Sequence, residues 1–228
     1  KKLVVHASLH PTLLRCRVPR TLVHLLPSSD GTLLPSLLVA LIGLAPDSQC
    51  STAIASPHSV DILLRMLREY DLPFKRLSAH LLHLLSRYSP ARRDMLQLQA
   101  VPRLLHAVQP PVDPALGHSL LRLFCNILRD VNISGAAFQE ARSSGAVASL
   151  LALLEPERAQ TASPSLLCAC CSALTKLAVE DESAQQIRQN NGVWLIGRLL
   201  GPPTEEASVK AHAFRALRFV FSMERNRT

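Results

Sequence analysis

The sequence predicts an all-α fold, with about five helical repeats stacked into a right-handed superhelical solenoid. Three observations predict it. One pattern, apolar at a start position and again at +3, +6 and +7, returns five times: Pro19-Leu22-Leu25-Leu26, Val60-Leu63-Met66-Leu67, Val101-Leu104-Ala107-Val108, Val147-Leu150-Leu153-Leu154 and Val193-Ile196-Leu199-Leu200. The starts lie 41, 41, 46 and 46 residues apart. Each copy is followed by a polar or Pro-containing break and then by a longer leucine-rich run at helical spacing. Composition agrees, because 48% of the chain is apolar but only 4% aromatic, so the core must be built from aliphatic helix–helix contacts.

Periods of ~40–47 residues with helical punctuation are those of armadillo and HEAT arrays. A single unit cannot bury its apolar face, so such units stack on one another. The divisions fall near 1–46, 47–89, 90–131, 132–180 and 181–228, with no linker long enough to split residues 1–228 into separate domains. Each apolar window reads as a short second helix. The breaks that follow are PSSDGT, REYDLP, VQPPVDPALG, EPERAQTASPS and LGPPTEEAS. The third helices are then LLPSLLVALIGLA, FKRLSAHLLHLLSRY, HSLLRLFCNILRD, LLCACCSALTKLAVED and VKAHAFRALRFVFSMERN. Pro and Gly at the joints stop one helix and start the next. A short first helix precedes each window, clearest in FQEARSSGAV and AQQIRQNNGVW, with Gly145 and Gly192 expected at left-handed corners between first and second helices. The insert EPERAQTASPS lengthens the fourth repeat, and Ala159 to Pro164 is expected to be its most flexible part. Leu82, Leu123, Phe124, Leu174 and Leu217 are expected in the continuous core.

Charge is uneven. Residues 1–131 carry 15 Lys/Arg against 8 Asp/Glu, and residues 132–228 carry 10 against 9, within a net charge of +8. That excess suits acidic or phosphorylated partners. Nucleic acid is the alternative for a basic solenoid, but no RGG, RNP or aromatic-interleaved basic run supports it. No apolar run reaches the ~18 residues of a membrane span. The opening KKLVVHASLHPTLLRCR has a basic head, yet His6 and His10 interrupt its apolar stretch, which argues against a signal peptide. The chain opens on Lys rather than Met and so reads as part of something longer. A cytoplasmic setting is expected, with a nuclear one as the alternative. The six cysteines, Cys16, Cys50, Cys125, Cys168, Cys170 and Cys171, are then reduced. The run LLCACCSAL splays its thiols around a helix and cannot close a zinc tetrahedron, so Cys168 and Cys171 are expected to pack and to react slowly.

Enzyme signatures are absent: there is no G-x-G-x-x-G, Walker A, G-x-S-x-G or H-E-x-x-H, and hence no catalytic, cofactor-binding or metal residue to assign. His80 and His83 share a helix without a third ligand. Ser56-Pro57, Ser89-Pro90 and Ser163-Pro164 match a proline-directed phosphoacceptor, and Asn132-Ile133-Ser134 and Asn226-Arg227-Thr228 are chance sequons in a cytoplasmic protein.

The third helices carry a basic stripe. Arg76, His80, His83 and Arg87 fall at i, i+4, i+7 and i+11. His118, Arg122, Cys125 and Arg129 repeat that spacing, with Asn126 beside them, and Arg215, Arg218, Ser222 and Arg225 continue it. With Lys176, these positions are the candidate partner-binding groove, opposite the leucines. Armadillo arrays that hold extended peptides carry an Asn ladder on their third helices, whose amides supply a donor and an acceptor to a peptide backbone. Here the aligned residues are Gly43, Leu84, Asn126, Lys176 and Phe219, and the sole Trp is Trp194. That departure argues against the capture mode of nuclear import receptors.

Five segments go beyond the generic repeat: TLVHLL, LLPSLLVALIGLA, LREYDLPFKRLSAHLLHLL, LLCACCSALTKLAVED and FRALRFVFSMERNR. In this order, over about residues 19–228, they resemble the armadillo region of the NIMA-related serine/threonine kinase family. EYDLPFKRL and FSMERNR are the most specific, since repeat architecture does not demand them. The resemblance implies a parent kinase that uses ATP and Mg²⁺, with its catalytic domain C-terminal to this region. No cofactor or catalytic residue of that domain falls on these 228 residues. The expected function is a scaffold that docks a protein partner, either an acidic or phosphorylated segment or the parent kinase domain.

Overall fold

The computed structural model describes residues 7–28, 31–130, 133–202 and 204–222. Among the described residues every regular element is helical. The elements fall into five triplets. The first is α1 (His10–Arg15), α2 (Val18–Leu25) and α3 (Leu34–Leu44). The second is α4 (Ser48–Ile54), α5 (Pro57–Glu69) and α6 (Leu72–Leu85). The third is α7 (Ser89–Gln97), α8 (Ala100–Val108) and α9 (Pro114–Leu128). The fourth is α10 (Ser134–Ser143), α11 (Ala146–Ala152) and α13 (Pro164–Leu177), with an extra helix, α12 (Pro156–Thr161), before its last member. The fifth is α14 (Asp181–Gln189), α15 (Gly192–Arg198) and α16 (Ala207–Ser222).

Local chemistry starts the third helices and several others. Asp113 accepts from the Leu116 N–H at 2.9 Å, and Ser163 from the Leu166 N–H at 3.3 Å. Pro114 and Pro164 follow at the first helical position, where the missing N–H costs nothing. Ser56 and Ser59 form a reciprocal capping box at the head of α5. All three Ser-Pro pairs therefore open helices, with Ser56 and Ser163 as caps and Ser89 as the first residue of α7.

The corner between first and second helix is left-handed in four repeats, at Arg17 (φ 56), Gln99 (φ 51), Gly145 (φ 69) and Asn191 (φ 60). Each lies two residues before the apolar window. Gly145 is the expected glycine corner. Gly192 is not: Asn191 takes the corner, and Gly192 is the first residue of α15. A Cβ on Gly192 would stand 2.5 Å from the Ile187 carbonyl oxygen and 2.6 Å from Ile187 Cγ2, so close packing fixes that glycine. In the second repeat the corner is extended at Ala55 and Ser56 and is held by the capping box.

The chain divides into two compact units, Lys1–Arg103 and Leu104–Thr228, with the boundary inside α8. In the first unit α6 packs on α3 and α5, and α2 on α3 and α4. Asp61 holds both Arg65 at 3.3 Å and Arg103 at 3.1 Å. In the second unit α13 packs against both α9 and α16. Arg142 on α10 pairs with Glu180 and, at 2.9 Å, with Glu182, and Arg188 of α14 donates to the Val220 carbonyl of α16 at 2.8 Å.

Burial follows the predicted pattern in the inner repeats and departs from it at both outer ones. Leu82, Leu123, Phe124 and Leu174 are buried. Leu217 is only half-buried, because α16 turns Val209, Ala213, Ala216 and Val220 inward instead. In α2 the buried stripe is Pro19, Val23 and, just past its end, Leu26, at i, i+4 and i+7, which leaves Leu25 exposed. Leu200 is exposed as well. In the insert, Ala159, Gln160 and Thr161 complete α12 rather than a loop, and Arg158 donates to the Ala152 carbonyl at 2.9 Å.

Candidate functional site

Side-by-side third helices place polar side chains on a shared face of the second unit. From α9 come His118 and Arg122, from α13 Cys168 and Ser172, and from α16 Ser208 and His212. Together with Glu206 they line a cleft of about 520 Å³. Helical geometry explains the selection: His118 and Arg122 are one turn apart, as are Cys168 and Ser172, and Ser208 and His212. Back-bonding holds the small members in place. Ser172 Oγ donates to the Cys168 carbonyl at 2.8 Å, and His212 Nδ1 lies 2.8 Å from the Ser208 carbonyl. Cys168 Sγ reaches across to Ser208 Oγ at 3.7 Å.

Electrostatics bring in a further predicted residue. Burial pushes the Cys125 thiol up to about 12, against the opposing pull of the charges on Arg122 and Lys176. Arg122 on α9 and Lys176 on α13 thus flank one thiol, and of the two cations Arg122 lines the cleft. Glu206 offsets part of that charge, so the site is not uniformly basic.

Of the predicted groove residues in this unit, His118 and Arg122 line the cleft and Lys176 joins Arg122 at Cys125. Asn126 is half-buried on α9, and Arg129 and Arg215 are exposed, none of them in the cleft wall. Arg218 stacks over the Phe219 ring at 5.7 Å, at the register position that Cys125 and Thr175 hold in α9 and α13. Arg225 lies outside the described residues, as do Asn132 and Asn226 of the two sequons. In the first unit Arg76, His80 and Arg87 are exposed on or just beyond α6 and His83 is half-buried, with the His80 and His83 rings edge to face at 6.3 Å.

Sequence reasoning missed Ser172, Ser208 and His212, and it misplaced Cys168. Cys168 is half-exposed in the cleft, whereas Cys170 and Cys171 are buried. The signal was available: Ser165, Cys168 and Ser172 recur at i, i+3 and i+7, a small polar face on an otherwise apolar helix. A second, largely apolar cleft of about 290 Å³ is walled by Pro110, Pro111 and Val112 with Leu153 and Leu166, so the Pro-rich spacer builds surface as well as breaking a helix.

Among the described residues one group of three side chains could offer metal ligands, His10, Asp47 and Cys50, with their ligand atoms within 4.8 Å of one another. Helix capping accounts for it. Asp47 accepts from the Cys50 N–H at 2.8 Å, a bond that pulls its carboxyl down, and lies 3.9 Å from His10 Nδ1. Burial, reinforced by Asp47, pushes the Cys50 thiol up to about 11.

No protein-family model matches the chain. It is 34% identical over 243 aligned residues to the serine/threonine-protein kinase Nek10 of Homo sapiens, covering 91% of this chain and 21% of that protein. It is likewise 34% identical to Nek10 of Mus musculus, covering 22% of that protein. The chain thus spans about a fifth of the length of these curated relatives. Among solved structures it is similar to the designed armadillo repeat protein YIII(Dq)4CqI, with a TM-score of 0.80 at 14% identity over 96% of this chain and 89% of the other. A computationally designed armadillo array for modular peptide recognition gives 0.81 at 14% identity over 96% and 89%. Another designed array, YIII(Dq.V1)4CPAF, is in complex with the peptide (KR)4 and gives 0.81 at 14% identity over 96% and 89%. The chain is an all-α solenoid of armadillo type that resembles, over nearly its whole length, the armadillo-like region of the NIMA-related kinase Nek10.

Proposed function

We propose that this chain is a non-catalytic armadillo module that docks protein partners by holding acidic or phosphorylated segments, and that it works beside a serine/threonine kinase domain of the NIMA-related type. The observation that carries this reading is the polar cleft of the second unit, where Arg122 and His118 line the wall and Lys176 stands beside Arg122 at Cys125. Arginine suits the role, since its planar guanidinium can hold a carboxylate or phosphate through two hydrogen bonds. Ser208 Oγ accepts from Cys168 and keeps its own proton to donate to a bound oxyanion. A designed array of this fold is in complex with a basic peptide, (KR)4; a cleft lined by Arg122, with Lys176 beside that arginine at Cys125, calls for the opposite charge. Arg76, His80, His83 and Arg87 give the first unit its own basic row for the same class of ligand. The likeness to Nek10 supports the kinase context, in which ATP and Mg²⁺ would serve the neighbouring catalytic domain and that domain is itself a candidate partner. Six free thiols fit a reducing compartment, and we place the module in the cytoplasm on that ground.

Exposed ion pairs contribute only ~0–1 kcal/mol each, so affinity is modest and several contacts must act together. The test is fluorescence anisotropy with acidic and phosphorylated peptide libraries against the chain and its Arg122→Glu/Lys176→Glu variant. The expected result is weaker binding of both libraries by roughly fivefold or more, as two lost pairs and two new repulsions imply. Unchanged binding overturns the reading. Binding that is displaced by polynucleotide regardless of peptide sequence would favour a nucleic-acid surface instead.

A further inference from the structure

In the first unit three side chains of different chemistry converge. His10 opens α1, Asp47 caps α4, and Cys50 completes the first turn of α4. Their ligand atoms all lie within 4.8 Å of one another. Helix chemistry explains how they meet. Asp47 and Cys50 stand three residues apart at a helix start and so share a face. Helix α1 packs on α4 and carries His10 to it. The corner before α4 is braced from far along the chain, because the Tyr88 hydroxyl donates to the Pro46 carbonyl at 2.9 Å. Thirty-six residues separate His10 from Asp47, so no short spacing motif announces the group.

Capping brings the carboxylate and the thiol together, and it engages Oδ1 of Asp47, which accepts from the Cys50 N–H at 2.8 Å. The other oxygen, Oδ2, faces His10 Nδ1 at 3.9 Å, too far for a hydrogen bond. A metal ion fits such a span. With bonds of ~2.0–2.3 Å to nitrogen, oxygen and sulphur at tetrahedral angles, ligand atoms stand ~3.3–3.6 Å apart. The His10–Asp47 separation then has to close by about 0.5 Å. The other separations close by about 1.5 Å or less, which side-chain rotation supplies. His10 is 8% exposed and Cys50 fully buried, so an ion held here is withdrawn from bulk water. The Asp47 side chain is 35% exposed and leaves an entry path.

The donor set selects the ion. Mg²⁺ and Ca²⁺ take oxygen ligands, whereas an imidazole, a carboxylate and a thiolate together suit Zn²⁺. We infer that His10, Asp47 and Cys50 form a three-ligand zinc site that clasps α1 to the head of α4, with a fourth position left for water. Binding displaces the Cys50 thiol proton, which passes to the buffer. The clasp joins the first repeat to the second. It acts where help is needed, since α1 has six residues and α4 seven, too few for either helix to hold itself. The site stands independently of the acidic-segment reading of the second unit.

The probe is Co²⁺ added to the reduced, metal-free 228-residue chain and followed by visible and near-ultraviolet absorption, with Zn²⁺ as competitor. A single equivalent is expected to bind, with the strong visible bands of a four-coordinate ion and a sulphur-to-cobalt charge-transfer band, and Zn²⁺ is expected to displace it. Cys50→Ala is expected to lose the charge-transfer band and, like His10→Gln, to weaken metal binding by roughly tenfold or more. Asp47→Asn controls for folding, because asparagine also caps helices. Its circular dichroism is expected to match that of the parent chain while its metal affinity falls by a similar factor. Zn²⁺ is expected to raise the melting temperature of the parent chain and to leave that of Cys50→Ala unchanged. Absence of binding, or a six-coordinate cobalt spectrum without a thiolate band, overturns the inference. So does binding that survives Cys50→Ala, because other thiols, such as exposed Cys16, then hold the ion. Binding of acidic peptides at the Arg122 cleft is expected to be the same in all three variants, so that reading and this one fail separately.

Discussion

Two glycines at the corners between first and second helices should respond to alanine for different reasons, and a third residue type separates those reasons. At Gly145 a Cβ would meet nothing within 4 Å, but φ is +69. The cost of alanine there is backbone strain, about 1–2 kcal/mol for an L-residue in the left-handed region. The lower entropy of the unfolded alanine chain returns about 0.4–1 kcal/mol. The net loss is therefore about 1 kcal/mol. At Gly192 the backbone is ordinary, but a Cβ would lie 2.5 Å from the Ile187 carbonyl oxygen, 2.6 Å from Ile187 Cγ2 and 3.1 Å from Leu151 Cδ2. The nearest of these is backbone, so α14 and α15 must move apart, and overpacking of that kind costs about 1–3 kcal/mol. Asparagine tolerates the left-handed region, as Asn191 does in this chain. Gly145→Asn should thus recover most of the loss seen in Gly145→Ala, while Gly192→Asn should be at least as damaging as Gly192→Ala. The assay is urea unfolding followed by far-ultraviolet circular dichroism, comparing midpoints at constant slope. A neutral Gly192→Ala, or a Gly145→Asn as costly as Gly145→Ala, would refute the argument.

Leu174→Ala should cost about 2–5 kcal/mol, and Leu217→Ala clearly less, because Leu174 is fully buried and Leu217 is not; equal losses in urea would contradict the register of α16. Glu140 has a buried Oε1 that makes no hydrogen bond, and burial pushes its carboxyl up to about 7 from an ordinary value of 4.5. The folded chain then keeps a proton that the unfolded chain releases between those values, so this residue's effect on stability worsens as pH rises through that window. Glu140→Gln should accordingly stabilise the chain at pH 8 and do little at pH 4, and thermal melts at the two pH values check the sign. Cys168 should react with a thiol reagent in the folded chain at pH 8 well before Cys170 and Cys171, both buried with thiols pushed far up by burial, as mass spectrometry of the modified peptides would read.

The sequence by itself determined the helical class, the repeat count and the placement of nearly every second and third helix. Those properties rest on local chemistry: apolar spacing at the helical period, Pro at first turns, and Asp or Ser caps such as Asp113 and Ser163. It also placed Arg122 and Lys176 on the polar side of their helices, since a helical period reports which side chains share a face. Tertiary structure decided what depends on a neighbour. Gly145 and Gly192 both read as corner glycines in the chain, yet one is set by its own φ and the other by Ile187 on the preceding helix. Cys168 and Cys171 sit three residues apart in one apolar run, and only the packing of α13 against α16 puts the first in a cleft and the second in the core. Leu217 repeats the pattern of Leu174 and is nevertheless half-exposed. Periodicity says which face is apolar, whereas burial requires another helix to cover it, and α16 has no following third helix among the described residues.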